Sequence, residues 1–449
     1  MMEVLKERAQ QVVDHATKIG ATAVDAFIRE DEVFTVTVRK GDVEKLQEAV
    51  SRSLRLRIFL GKRTATSQTS DLSPSIIQDL VEETFEVARL TSEDESSGLP
   101  DKALYPLHIP DLDLADSAWD TVTTAQGIDL ARRAETAAIE ANPAITNSEG
   151  GSFERERSRT VIANSAGFVG GYETTMGYLV AVPIAERNGA MQQDSWLSVA
   201  RYRQELDAPE EVGRRAAERV LRKLDARKIA TCEVPVIFDP LTARTIVRHI
   251  FDALSGDSIY RKRSFLVDQL GQPIASRDVT IVDDALLKRG IGSRPFDDEG
   301  VEAQKTAVLE DGVLRSYIQS AYTGKRLNAR PTGNGTRTGA GSIAVGPTNF
   351  YLLPGQTPPD EIVASVKNGL YVVDLMGSGV NLVNGDYSRG VTGLWIENGK
   401  FTYPVHEITI AGNLRQMLQD ITMVGNDIRF LGTVSSPTVK IRSMTLSGD

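Results

Sequence analysis

The sequence predicts an α+β fold in two domains, residues 1–230 and 231–449, each a largely antiparallel curved sheet packed with helices. Residues 53–59 alternate, with Leu54, Leu56 and Ile58 on one side and Arg55 and Arg57 on the other, the pattern of a sheet with one wet face. Apolar residues recur at three- and four-residue spacing over 74–90 and 241–256, which gives helices long enough to cover such sheets. A chain of 449 residues with 41% hydrophobic content also exceeds the roughly 250 to 300 residues at which single cores split.

In order, residues 1–20 read as an amphipathic helix, 23–28 and 34–38 as two strands, and 64–70 as a strand following the turn at Gly61 and Lys62. Ser73 is placed to cap helix 74–90, whose buried stripe is Ile76, Ile77, Leu80, Val81, Val87 and Ala88. Residues 91–114 are polar, acidic and broken by prolines, which makes them a surface connection. Helix 128–141 precedes a meander over 152–164, 168–174, 178–185 and 191–200, in which Asn188-Gly189 is the strongest hairpin signal. A charged helix over 209–224 leads to the expected domain boundary at 225–231.

The second half opens on a buried strand, 234–238, that runs into Asp239 and Pro240, a cap and a first-turn proline. Ile246, Val247, Ile250, Phe251 and Leu254 then mark a buried helix. Strands follow at 279–282, 301–309 and 313–320, the last two joined by Glu310-Asp311-Gly312. Residues 322–341 are glycine-rich and locally basic through Lys325, Arg326, Arg330 and Arg337. They suit either an ordinary surface loop or a mobile loop that cradles an anion or a peptide carboxylate, and they lack the Gly-Lys-Ser/Thr end of a phosphate loop. A short helix at 359–368, a strand at 371–375 and a hairpin of 392–396 with 401–405 complete the pattern.

Charge and composition exclude several classes. A net charge of −10 argues against a broad phosphate-binding surface, so direct nucleic-acid binding is not expected. No apolar run of about 18 residues is present, and the first fifteen residues form a charged amphipathic segment, so no membrane span is expected. A single cysteine, Cys232, fits a reducing compartment and excludes a cysteine-cluster metal site. A cytoplasmic protein is the expectation.

A zinc hydrolase helix needs imidazoles and an acid on one face. Residues 241–262 offer one histidine, His249, with no glutamate beside it, and a lone imidazole of this kind reads as a structural or surface residue. His406-Glu407 starts like a zinc motif, but position 410 is isoleucine. No Gly-x-Ser-x-Gly elbow occurs.

The segments SGDSIYRKRSFL, PFDDEGV, MGSGVNLVNGDYSRGVTGLWIENG, YPVHEITIAGNL and VGNDI, in this order, resemble the TldD/PmbA family, also called the modulator of DNA gyrase family, on its PmbA/TldE side. The resemblance covers nearly the whole C-terminal half; the N-terminal half agrees in its pattern of strands and helices. It implies one subunit of a cytoplasmic metallopeptidase complex that cleaves unfolded or flexible peptides. In that complex a TldD-type partner carries a His-Glu-x-x-x-His helix and a downstream cysteine that bind zinc. Matched to this motif, the ligand positions fall on Val247, Arg248 and Asp252, and the cysteine position falls near Leu431, so no metal is expected in this chain. The resemblance makes the chain a silent partner that shapes a substrate chamber, with Asp386, Tyr387 and Arg389 as lining candidates. Asp386, Ser388 and Arg389 also read, and more simply, as a turn held by local hydrogen bonds and an ion pair. Two other readings stay open: a non-enzymatic homodimeric peptide-binding or adaptor protein, and an autonomous hydrolase with His249, Asp252, His406 and Glu407 as atypical ligands. A homodimer is expected of the isolated chain, and any link to gyrase is read as indirect.

Overall fold

In the computed structural model, which describes residues 1–339 and 341–448, the alternating segment at 53–59 is the inner end of a much longer strand. The N-terminal half runs α1 (Met2–Lys18), β1 (Ala23–Arg39), β2 (Asp42–Leu60), β3 (Arg63–Thr69), α2 (Pro74–Leu90), α3 (Thr124–Glu140), β4 (Ile145–Asn164), β5 (Val169–Arg187), β6 (Ala190–Gln193), β7 (Trp196–Ala200) and α4 (Pro209–Leu221). Its strands form one antiparallel sheet in the order β3-β2-β1-β4-β5, with β6 and β7 both paired to β5. Helices α1 and α2 bury Val12, Val13 and Val81 against Ile28, Leu54 and Leu56 at one end of the long strands. Helices α3 and α4 cover the other end, where Ala134 and Val212 meet Phe34, Val36 and Phe153.

Two strands expected at 23–28 and 34–38 are the single strand β1. The charged residues between them continue the ladder because their charges pair across it. Arg29 bonds Asp31 at 2.7 Å and Glu156 at 3.1 Å, and Glu30 accepts from Arg52 at 2.6 Å and Arg159 at 2.9 Å. Strands expected at 168–174 and 178–185 are likewise one, β5. Gly177 in its middle admits the Trp119 ring, since a Cβ there would lie 2.0 Å from the indole.

The C-terminal half runs β8 (Cys232–Phe238), α5 (Pro240–Leu254), α6 (Gly256–Tyr260), β9 (Ile281–Asp284), β10 (Lys305–Glu310), β11 (Val313–Leu314), α7 (Ala321–Leu327), β12 (Gly335–Arg337), β13 (Ile343–Val345), β14 (Phe350–Leu352), α8 (Pro359–Ala364), β15 (Asn368–Val380), β16 (Asp386–Glu397), β17 (Lys400–Asn413), α9 (Leu414–Gln419), β18 (Ile421–Val424), β19 (Val434–Ser435) and β20 (Val439–Ser447). One sheet has the order β17-β16-β15-β8-β20-β18 and closes on itself through a further β17–β20 pairing. A second has the order β11-β10-β9-β14-β19. Helix α5 packs between them, against β8 and β15 of the first and β14 and β19 of the second. This mixed architecture of curved, mainly antiparallel sheets with helices is the predicted fold class.

The glycine-rich stretch at 322–341 is not the loop its composition suggested. Ser320 and Thr323 form a reciprocal cap that starts α7, Thr323 and Asn334 are fully buried, and Arg337 ends strand β12 with its side chain buried. Residue 340 lies outside the described residues.

Buried charge joins the halves. Arg57 on β2 bonds Asp25 on β1 and reaches Glu299 at 3.4 Å, while Arg337 bonds the other Asp25 oxygen at 2.5 Å. Burial alone would raise the Asp25 carboxyl, yet Arg337 and Arg57 hold it below its usual range. An aromatic cluster lies alongside, with Phe296 edge-on to Phe168 and to Tyr172, each at 5.2 Å.

Substituting Arg57→Met leaves the buried Glu299 carboxylate without its cation and removes one of the two on Asp25. Denaturant unfolding should show a loss of about 3–5 kcal/mol. A loss below about 1 kcal/mol would show that this network does not hold the halves together.

Candidate functional site

Helix α5 starts where β8 ends. The Asp239 carboxylate caps it by accepting from the Thr242 N–H and hydroxyl, both at 2.8 Å, and Pro240 sits in the first turn. Ile246, Val247, Ile250, Phe251 and Leu254 enter the core between the two sheets, with Phe251 edge-on to Phe350 at 5.2 Å. The other face carries Arg248, His249 and Asp252.

The expected site residues fall into two groups. Arg248 is exposed, pairs with Asp252 at 3.0 Å and lies over the Phe251 ring, the ordinary arrangement of an i,i+4 helix pair. His249 is half-buried and meets Tyr387 of β16 edge-on, ring centres 6.2 Å apart. Tyr387 is 1% exposed, and among the described residues neither its hydroxyl nor the His249 Nε2 has a hydrogen-bond partner. Burial pulls the His249 imidazole below its usual value, with Arg389 and Arg248 acting in the same direction and Asp252 against them. Burial pushes the Tyr387 phenol up to about 12.

Arg389 donates to the Met376 and Leu375 carbonyls at 3.1 and 3.4 Å, which clamps β16 to β15 where a bulge interrupts their register. Asp386 accepts from Asn384 at 2.7 Å and Asn413 at 3.2 Å, so it holds the turn between β15 and β16. Beyond this clamp residues 376–379 are exposed, as is Val383 at 59%.

His406 and Glu407 lie elsewhere. Tyr387 pairs with Gly412 of β17, and the rise along a strand puts His406 about 20 Å from that point. Glu407 faces Lys228 at 3.4 Å. Among the described residues no group of three or more His, Cys, Asp or Glu side chains is close enough to hold a metal ion. The His249–Tyr387 contact was not legible in the sequence, because only the strand order of the closed sheet brings β16 over α5.

Three segments match models of the PmbA/TldA metallopeptidase: residues 24–88 its domain 1, 118–224 its central domain and 231–448 its C-terminal domain. Over 414 residues the chain is 37% identical to metalloprotease PmbA of Escherichia coli O157:H7, covering 92% of this chain and 90% of that protein. The chain belongs to the PmbA/TldD metallopeptidase family. It is also 35% identical to the metalloprotease PmbA homologue of Haemophilus influenzae, covering 99% of this chain and 96% of that one. A crystal structure from Bacteroides thetaiotaomicron, named as a modulator of DNA gyrase, superposes with a TM-score of 0.92 at 27% identity over 99% of each chain. TldE of Thermococcus kodakarensis shares the fold, with a TM-score of 0.88 at 20% identity over 98% of this chain and 100% of that one. TldD-type relatives also match, one from Buchnera aphidicola at 30% identity over 43% of this chain and 44% of that protein.

The metal that the family name implies does not fit the positions matched here to its motif. Val247 is 3% exposed, packed in the core, and has no donor atom. Arg248 brings a positive charge, and the Asp252 carboxylate is taken up by it.

A histidine with a lowered folded pKa binds its proton more readily when unfolded. Stability contributed here is therefore intact above about pH 6.5 and falls as pH drops below that unfolded value. An NMR titration, with His249 assigned by its loss in His249→Gln, should give a midpoint below 6.5. A midpoint at or above 6.5 would contradict the burial of this ring.

Proposed function

We propose that this chain is the metal-free subunit of a heteromeric metallopeptidase that acts on unfolded or flexible peptides, with zinc held by a TldD-type partner. The observation that carries this reading is the state of α5, whose matched positions present a buried valine and a closed Arg248–Asp252 pair in place of ligands. The family membership supplies the peptidase class, and the existence of TldD-type relatives supplies a partner of the right kind. No helix among the described residues is long and apolar enough to cross a membrane, which is consistent with the cytoplasmic setting proposed for the complex.

The contribution of this chain is a wall of the substrate chamber. The exposed tip of the β15–β16 hairpin, rich in glycine, lets an extended peptide backbone approach closely, and the clamp of Arg389 on the Met376 carbonyl fixes its position. Tyr387 and His249 stand behind this wall, and among the described residues neither the Tyr387 hydroxyl nor the His249 Nε2 has a hydrogen-bond partner.

Hydrolysis of an unfolded peptide should require both chains. Neither this chain nor its partner alone should turn over, whereas the mixture should. Arg389→Ala should lower turnover of the mixture on the order of tenfold by displacing the hairpin, without preventing assembly. Chelator-sensitive cleavage by this chain alone would replace the proposal with an autonomous hydrolase. Failure of the two chains to assemble would favour a peptide-binding or adaptor role.

A further inference from the structure

Helix α4 and its C-cap carry Arg215, Arg219 and Arg222 at four- and three-residue spacing, which sets three guanidiniums on one face. That face looks across the seam between the halves toward Asp239, Tyr371 and Arg429, and together they line a cleft of about 270 Å³.

The positive charge there is not fully matched. Arg219 is neutralised by Asp194 at 3.2 Å and Asp239 at 3.3 Å, and it donates to the Val373 carbonyl at 3.1 Å. Arg215 is half used: its Nε bonds Glu211, while its Nη1 is buried with no partner among the described residues. Arg222 and Arg429 have no carboxylate at ion-pairing distance among the described residues. Two other acids line the cleft, and only Glu218 is paired with a cation outside it. Asp427 accepts from the Thr438 N–H at 2.9 Å and hydroxyl at 2.7 Å, and Glu218 pairs with Arg214.

Trp196 is the floor of this arrangement. Arg215 and Arg429 each lie over its ring at 5.3 Å from the centre, so two like charges share one aromatic surface. Burial first and the neighbouring Arg215 next pull Arg429 below the usual arginine range, against the carboxylates of Asp207, Asp427 and Glu211. The Trp196 indole N–H is itself buried without a partner among the described residues. An anion between the guanidiniums would relieve their repulsion and give the orphaned donors an acceptor. The volume lies just below the roughly 300–1,000 Å³ of clefts for drug-sized ligands, which suits a smaller ligand. Trp196, Leu241 and Tyr371 supply apolar wall beside the charges.

We infer that this cleft is a binding site for a carboxylate attached to an apolar body of amino-acid to dipeptide size. Arg215, Arg222 and Arg429 hold the carboxylate, and the apolar part lies on Trp196. The carboxylate comes either from a free small molecule or from the C-terminus of a longer peptide, and because the ligand spans both halves its binding braces them together.

Isothermal titration calorimetry on the full chain, alone, tests this with N-acetyl-Ala-Phe as the free acid, the same compound as its C-terminal amide, a hexapeptide acid ending in Ala-Phe, and inorganic phosphate. The acid should bind at least tenfold more tightly than the amide. Arg429→Ala should reduce the acid to the level of the amide while its melting temperature stays at that of the parent. If that variant melts early, Arg222→Ala serves instead, since both side chains are exposed. A hexapeptide as tight as the dipeptide assigns the site to peptide ends, and a much weaker one assigns it to small carboxylates. Equal binding of acid and amide, unchanged binding in both variants, or binding of phosphate alone overturns the inference. The readout involves neither a partner nor hydrolysis, so its failure is separable from failure of the peptidase reading.

Discussion

The position of α5 depends on the buried ion network that begins at Asp25. A carboxylate with no exposed surface is tolerated only when cations and N–H donors surround it, and here those donors come from both halves of the chain. Arg57 carries the connection to Glu299, whose other oxygen accepts from the Ala321 N–H at 2.8 Å at the start of α7. Asp297 accepts from the N–H groups of Glu299, Val301 and Gly335. One cluster therefore fixes the loop at 295–301, the first turn of α7 and strand β12 against the N-terminal sheet. Helix α7 packs on α6, and the Gly256 N–H bonds the Ile318 carbonyl at 2.7 Å, so the constraint reaches the C-terminal end of α5.

In the proposed metal-free subunit, the α5 positions matched to the family's metal motif hold a core valine and a surface ion pair. The cap at Asp239 and the apolar stripe hold α5 between two sheets. What changes is the chemistry of its outward face, where Arg248 and Asp252 satisfy each other and His249 is turned toward Tyr387. That ring contact joins α5 to strand β16 of the β15–β16 hairpin.

Much of this was legible in the residues. Helix α2 has the predicted bounds, although Ile76 and Val87 of its expected buried stripe are exposed, and the Asp239-Pro240 start of α5 follows from cap chemistry alone. The errors share a physical cause, which is that local composition was read without its partners. Asp31 and Glu32 looked like a strand break because their cations, Arg29 and Arg159, lie on the same strand or across the sheet. The region after Tyr322 looked like a loop because its glycines outweighed the Ser320-x-x-Thr323 cap that starts a helix. The carboxylate cleft was half visible as Arg215, Arg219 and Arg222 on one helix face, but Trp196 and Arg429 reach it only through the fold. Tyr387 was readable as a residue of interest, while its contact with His249 required the closed order of the sheet.

The central claim, that α5 of this chain is not a metal helix, is tested most directly by zinc content. The purified chain, dialysed to equilibrium against micromolar zinc and then against a weak chelator, would be measured by plasma mass spectrometry. Well below one zinc per chain is the predicted result. One zinc per chain retained through the chelator step would contradict it and return His249 and Asp252, on the outward face of α5, to consideration as ligands.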